Sequence, residues 1–280
     1  MTAYVNRRGY PFPAIASLLL VLGCGEAKTT NPPANQVALS AVPGDAVPYG
    51  LSFEDATRSA ERPPSEASRP YDRTLTGKPG FKIVEAVKGK WTTIRLTGDD
   101  GKPRRPRVNL ETSEGTIVIE VHPEWSPNQA RNFLALVKTG YYDGLRLEKI
   151  IQLPTPQGAR VAQIEGGCPQ GQGTIPSGSV GYWLRDDGPT ADGKGENAPQ
   201  GEGLVGFCND SNPDSAACRF FVSLQKVPPS GVEQTFFAQV VQGMEIVRKI
   251  SLKPVIVLED EPPGSHSPEV PVEIRKVIEE

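Results

Sequence analysis

The sequence predicts a mainly β domain, an antiparallel barrel with two helices, carried behind an exported and largely unpacked N-terminal stretch. Short runs of alternating apolar and polar residues recur between turn residues from about Pro106 to the C-terminus. Only two segments in that region carry helix signals, and many short strands with so few helices favour an antiparallel barrel. The third observation is composition: a hydrophobic share of 37% with Gly 29 and Pro 28 in 280 residues means that part of the chain does not pack. A net charge of -3 supplies no basic stripe and excludes nucleic acid as the expected partner. The two histidines, His122 and His266, are isolated, no Cys/His ligand spacing is present, and neither a metal nor another cofactor is expected.

At the N-terminus, Arg7 and Arg8 precede the apolar run "AIASLLLVLG" and Cys24, which reads as a targeting segment over residues 1–23, too short for a comfortable permanent span. "VLGC" resembles a bacterial lipobox, in which the cysteine is diacylated and becomes the mature N-terminus. A twin-arginine signal, or an ordinary cleaved signal with an incidental Cys24, are the other readings. Each exports the chain, and lipidation would anchor it stably to a membrane, facing the periplasm or the cell surface. Residues 24–77 are rich in Pro, Ser, Ala, Asn and Thr and are expected as a tether, because such a composition buries too little apolar area to offset the entropy of ordering. Within it the apolar patch Tyr49 to Phe53 is either a docking segment or incidental. Over residues 78–105, "FKIVEAV" and "KWTTIRL" alternate about "KGK" and predict an added hairpin.

The domain proper is expected over 106–280. Val108 to Thr112 and Thr116 to Val121 read as a hairpin joined by Ser113, Glu114 and Gly115. "SPNQARNFLALVKTG" reads as a helix with Ser126 as N-cap, Pro127 first inside, Gln129 completing a capping box and Gly140 just past the end. Ala130, Phe133, Leu134 and Val137 form its apolar stripe. In "YYDGLRLEKII", strand alternation sets Lys149 in a row with Leu145, Leu147 and Ile151. Either Lys149 snorkels to water along apolar surface, or a groove at that point needs a cationic donor. "ARVAQIEGG", "LVGFCN", "CRFFVSL" and "TFFAQVV" continue the strands, "GMEIVRKIS" is the second helix, and "PVEIRKVIE" closes the sheet. The loop "NDSNPDSAA" between two strands expected to pair brings Cys208 and Cys218 near each other. They form either a disulfide, which an exported compartment permits, or two small buried thiols beside Cys168.

Taken together, "GTIVIEVHPEWSPNQARNFLALVKTGYYDG", "EGGCPQGQGT" with "GYWLRDD", "NPDSAACRFFVSL" and "FFAQVVQGMEIVRKI" resemble the cyclophilin family of peptidyl-prolyl isomerases, in its bacterial branch, over about Pro106 to Ile278. The resemblance implies a closed eight-stranded antiparallel β-barrel capped by two α-helices, a monomer acting on proline-containing polypeptide segments. In that family's pattern Lys149 stands where the catalytic arginine is usual, Glu148 where a histidine precedes it, Ala162 where a pocket aromatic is, Gln163 where a methionine is, and Glu165 where a glutamine steadies the arginine. Phe221 keeps the pocket phenylalanine and Arg219 takes the place of a substrate-binding glutamine, while Asn209 lies among the implied substrate-binding residues and Gln234 falls closest to a histidine at the groove's far end. The site is therefore read as remodelled. One function is an isomerase in which Arg219, held by Glu165, compensates for the lost arginine with Lys149 supplying field. The alternative is a catalytically inactive, proline-segment binding or chaperone-like module. Against both stands the reading of Glu165 and Arg219 as a solvated surface pair worth at most about 1 kcal/mol.

Overall fold

A computed structural model describes residues 50–59, 72–156, 158–172, 179–185, 187, 201–209, 214–225, 235–258 and 263–280. Every described residue lies within the compact unit Leu39–Glu280. Cys24 and Gln234 lie outside the described residues, as do the targeting segment and most of the tether.

In chain order the elements are α1 (Phe53–Ala56), β1 (Thr57–Ser59), α2 (Gly80–Trp91), β2 (Arg107–Thr112), β3 (Gly115–Val121), α3 (Pro127–Lys138), β4 (Arg146–Leu147), β5 (Lys149–Thr155), β6 (Gly158–Gly166), β7 (Tyr182–Leu184), β8 (Leu204–Phe207), β9 (Phe220–Ser223), β10 (Phe236–Gln242), α4 (Met244–Ser251), β11 (Val255–Val257), β12 (Ser265–Pro268) and β13 (Val272–Glu279). Among the described residues the strands form one antiparallel sheet in the order β11-β12-β5-β6-β9-β8-β10-β3-β2-β13-β4, and a separate pair, β1-β7. The fold is mainly β with few helices, as expected. Glu148 alone separates β4 from β5, so one run of chain borders β13 at its start and β6 further on.

Local signals explain the best-defined elements. β2 and β3 pair from Arg107↔Glu120 to Thr112↔Gly115, with Ser113 and Glu114 as the turn and Gly115 at φ 141. Helix α3 ends in a Schellman motif: Gly140, at φ 64, donates its N–H to the Val137 carbonyl at 2.9 Å, and Tyr141 donates to Leu136 at 3.0 Å. Its other end differs from the expected capping box. The Ser126 hydroxyl makes no cap bond and instead donates to the Asp187 carboxylate, which also accepts the Asn128 N–H. A carboxylate brought from a distant loop meets the unsatisfied amides and the positive end of the helix better than a neutral hydroxyl does.

The stretch expected as an added hairpin is corrected to helix α2. Ile83, Val87 and Trp91, spaced four apart, are its buried stripe, whereas strand alternation would have buried Phe81, which is 63% exposed. Buried Arg131 of α3 donates through Nη1 to the Trp91 and Ile94 carbonyls at 3.0 and 2.8 Å, satisfying the chain end that leaves α2.

The tether is corrected at 50–59 and from Asp72 onward. Phe53 lies edge-on to Trp91 and Tyr182 with ring centroids 5.4 and 5.3 Å apart, and the Leu51 N–H reaches the Asn128 side chain at 2.7 Å. β1 then pairs with β7. The apolar patch at Tyr49 to Phe53 thus ends in a docking segment whose aromatic enters the core.

Candidate functional site

Strand register assembles the site. Lys149 of β5 faces Glu165 of β6, Glu165 faces Phe221 of β9, Phe221 faces Gly206 of β8, and Gly206 faces Phe236 of β10. Residues paired across neighbouring strands share a face, so these five form a row across five strands. Their chain neighbours Ile150, Ile164, Phe220, Val222, Val205, Phe207 and Phe237 belong to the main hydrophobic core on the other face. Phe221, Phe236 and Leu204 make a second, smaller apolar cluster, against which Trp125 and Cys208 pack. Phe221 and Phe236 meet edge to face at 5.8 Å. Gly206 is required here, since a Cβ on it would lie 2.8 Å from the Phe221 ring and 2.5 Å from the Thr235 carbonyl oxygen.

Arg219 immediately precedes β9, and its carbonyl accepts the Cys208 N–H at 2.9 Å. Alternation sets its side chain on the face of Phe221. There the Arg219 Nη2 donates to Glu165 Oε2 at 2.6 Å, and Gln163 Nε2 donates to the other carboxylate oxygen at 2.8 Å. Arg219 and Lys149 are each 3% exposed and Glu165 6%. Both bland readings fail on these values: Lys149 does not reach water, and Glu165–Arg219 is not a surface pair.

Glu148 is the fourth charged-type residue of the cluster and is fully buried between β4 and β5. Its Oε1 accepts the Cys168 N–H at 3.1 Å and lies 3.9 Å from Arg219 Nε, and its carbonyl accepts the Ser267 hydroxyl at 3.0 Å. Burial drives the Glu148 carboxyl up, the Glu165 charge adds to that, and together they outweigh Arg219 and the Cys168 amide, leaving it at about 8. Burial pushes Glu165 the same way, but there Arg219, Lys149 and the two side-chain hydrogen bonds prevail and hold it below the usual carboxylate value. At neutral pH the cluster therefore carries two cations, one carboxylate and one neutral acid.

Among the other expected site residues, Ala162 sits where the β5–β6 register shifts between Ile151 and Gln152, and its carbonyl accepts the Leu224 N–H, so it lies outside the row. Asn209 is half-buried just past β8. Of the two readings of Cys208 and Cys218, a disulfide or two thiols, the structure has free thiols, Cys218 buried and Cys208 half-buried. Arg219 lies across from Cys208, so Cys218 points to the opposite face, into the main core, while Cys208 joins the Phe221 cluster. Burial pushes both thiols up, and neither is suited to act as a thiolate nucleophile. Gly206, Phe236 and Trp125 border the candidate site and were not singled out from the sequence, whereas Glu148 was placed there only as the residue standing where a histidine is usual. An isolated glycine inside the strand pattern "LVGFC" was the one local sign, since such a glycine marks close approach of another group.

The family described as "Cyclophilin type peptidyl-prolyl cis-trans isomerase/CLD" matches residues 107–278. The chain is 29% identical over 151 residues to Arabidopsis thaliana peptidyl-prolyl cis-trans isomerase CYP18-2, covering 54% of this chain and 82% of that protein. It is 31% identical over 151 residues to mouse peptidyl-prolyl cis-trans isomerase-like 1, covering 52% and 80%. In structure it is similar to a Cryptosporidium parvum cyclophilin type peptidyl-prolyl cis-trans isomerase, with a TM-score of 0.50, 20% identity and coverage of 63% of this chain and 98% of that one. That likeness bears on fold alone.

Proposed function

Since residues 107–278 match its family model, the chain belongs to the cyclophilin-type peptidyl-prolyl cis-trans isomerase family, and we propose that it catalyses X–Pro isomerisation with Arg219 in place of the family's usual arginine. The observation that carries this reading is the Arg219–Glu165 contact at 2.6 Å, on the same sheet face as Phe221. Rotation about an X–Pro bond is slow because resonance must be broken, at about 20 kcal/mol. A catalyst needs no nucleophile for this. It must bind the twisted amide better than the planar one.

In the proposed arrangement a proline ring packs at the edge of the Phe221 and Phe236 cluster, beside half-buried Trp125. Glu165, itself held by the Gln163 amide, fixes one edge of the Arg219 guanidinium, and the guanidinium stabilises the lone pair that appears on the prolyl nitrogen. Lys149 adds positive potential without the planar fork. The run from β4 through β5 serves as the closing strand of an eight-stranded barrel in this reading, since it borders both β13 and β6. The "VLGC" motif at Cys24 supports action on exported clients from a membrane anchor.

The test is an isomerisation assay on a short proline peptide. Arg219→Ala should lower the rate by roughly a hundredfold or more, and further than Lys149→Ala does. Full activity in Arg219→Ala with none in Lys149→Ala would mean that lysine simply substitutes for the usual arginine. The second reading, a proline-segment binder without turnover, is favoured by the two carboxyl groups that already engage Arg219, Glu165 Oε2 at 2.6 Å from Nη2 and Glu148 Oε1 at 3.9 Å from Nε. An undetectable parental rate with retained proline-peptide binding would select it.

A further inference from the structure

We propose that Glu148 is a second positioning group, a carboxyl on the Nε edge of the Arg219 guanidinium that sets how much of its positive charge is left to act on a bound proline segment. The proposal rests on the reading of Arg219 as the donor. Two carboxyl groups flank this one guanidinium. Glu165 binds Nη2 at 2.6 Å, and Glu148 Oε1 lies 3.9 Å from Nε, held there by the Cys168 N–H. Glu148 Oε2 is buried and makes no hydrogen bond among the described residues. A fully buried carboxyl with one oxygen left unsatisfied is costly to retain for packing alone. Its position beside a guanidinium that already has a carboxylate partner gives it an electrostatic role.

Arg219 and Cys218 approach Glu148 from the segment before β9, Glu165 from β6, Cys168 from the turn after β6, Cys208 from the end of β8 and Tyr142 from the turn after α3. Lys149 follows Glu148 in the chain, and His266 of β12 pairs with Ile150. Arg146 and Glu273, paired across β4 and β13 nearby, are half-buried and exposed respectively. Burial pushes the Cys208 and Cys218 thiols and the Tyr142 phenol up, so these stay neutral while Glu148 ionises at about 8. Below that pH, Arg219 and Lys149 face a single carboxylate and the cluster keeps one net positive charge. Above it, Glu148 cancels that charge and sets a second carboxylate 3.9 Å from Nε.

The full-length protein, labelled to report the Arg219 Nε–H resonance, is to be followed from pH 6 to 9 alongside its isomerisation rate on a short proline peptide. The rate should fall severalfold with a midpoint near 8, and the Arg219 resonance should shift with the same midpoint. Both transitions should disappear in Glu148→Gln. Should that variant not fold, the carboxyl carbon resonance of Glu148 in the parent, titrating together with Arg219, carries the same test. An Arg219 resonance that stays flat from pH 6 to 9 in the parent overturns the positioning role whatever the rate does, as does a transition that persists in folded Glu148→Gln. If no isomerisation is measurable at any pH while the Arg219 resonance still titrates with Glu148, the catalytic reading fails and the positioning of Arg219 by Glu148 stands.

Discussion

Glu165→Gln removes the only carboxylate that is ionised at neutral pH from a cluster in which Arg219, Lys149, Glu165 and Glu148 are all at least nine-tenths buried. Breaking a buried pair by removing one partner costs about 3–5 kcal/mol, because the other charge is left without compensation. A Coulomb estimate agrees: at an effective dielectric near 20, two unit charges about 4 Å apart attract by about 4 kcal/mol. Glutamine keeps the shape and an oxygen for the Gln163 and Arg219 donors, so the low end, about 3 kcal/mol, is expected at pH 6. For an m-value near 3 kcal/mol/M that is a fall of about 1 M in the urea midpoint. At pH 9 the cost should be visibly smaller, since Glu148 is then ionised and stands in as the counter-charge, and its ionisation in the variant falls below the parent's value of about 8 because the Glu165 charge that helps to raise it is gone. Adding Arg219→Met to Glu165→Gln should recover most of the loss, because the double variant no longer buries the uncompensated guanidinium. Equilibrium urea unfolding of the two single variants and the double at both pH values measures this. A Glu165→Gln midpoint matching the parent at pH 6, or a double variant that loses the sum of the two singles, would refute the argument that the pair acts as one buried unit.

Gly206→Ala should destabilise the protein by about 1–3 kcal/mol, the usual cost of overpacking, and weaken proline-peptide binding, because its Cβ would meet the Thr235 carbonyl at 2.5 Å and displace the Phe221 ring; thermal unfolding and peptide titration that both match the parent would show that the ring does not depend on this space. Phe53→Ala should release the docked segment 50–59, as the ring lost from between Trp91 and Tyr182 carries about 3 kcal/mol or more. Limited proteolysis reads this as new cleavage within 50–59, and an unchanged digestion pattern would count against the docking.

What the sequence alone determined rests on residues that are close in the chain. The β2–β3 hairpin follows from alternation on either side of a short turn ending in Gly115, and the end of α3 follows from Gly140. Each needs only a few neighbouring residues, because turn geometry and helix termination are set within about one turn of chain. The family resemblance was legible for the same reason, as contiguous motifs. "FKIVEAV" was ambiguous at that range: Phe81 and Ile83 suit a strand, Ile83, Val87 and Trp91 suit a helix, and the packing of that second set, with Trp91 donating to the Leu51 carbonyl at 3.0 Å, decided it. Tertiary structure alone decided the character of the site. Whether Lys149 snorkels, whether Glu165–Arg219 is a surface pair and whether Cys208 meets Cys218 all depend on register and burial between strands far apart in sequence. A single residue of register moves a side chain to the other face. Here it set Cys208 and Cys218 on opposite faces, and it lined up Lys149, Glu165, Phe221, Gly206 and Phe236 on one. The ionisation of Glu148 follows from that burial, because the cost of a charge depends on the groups and the solvent around it, and the groups that set it, Arg219, Glu165 and the Cys168 amide, lie far from Glu148 in the sequence.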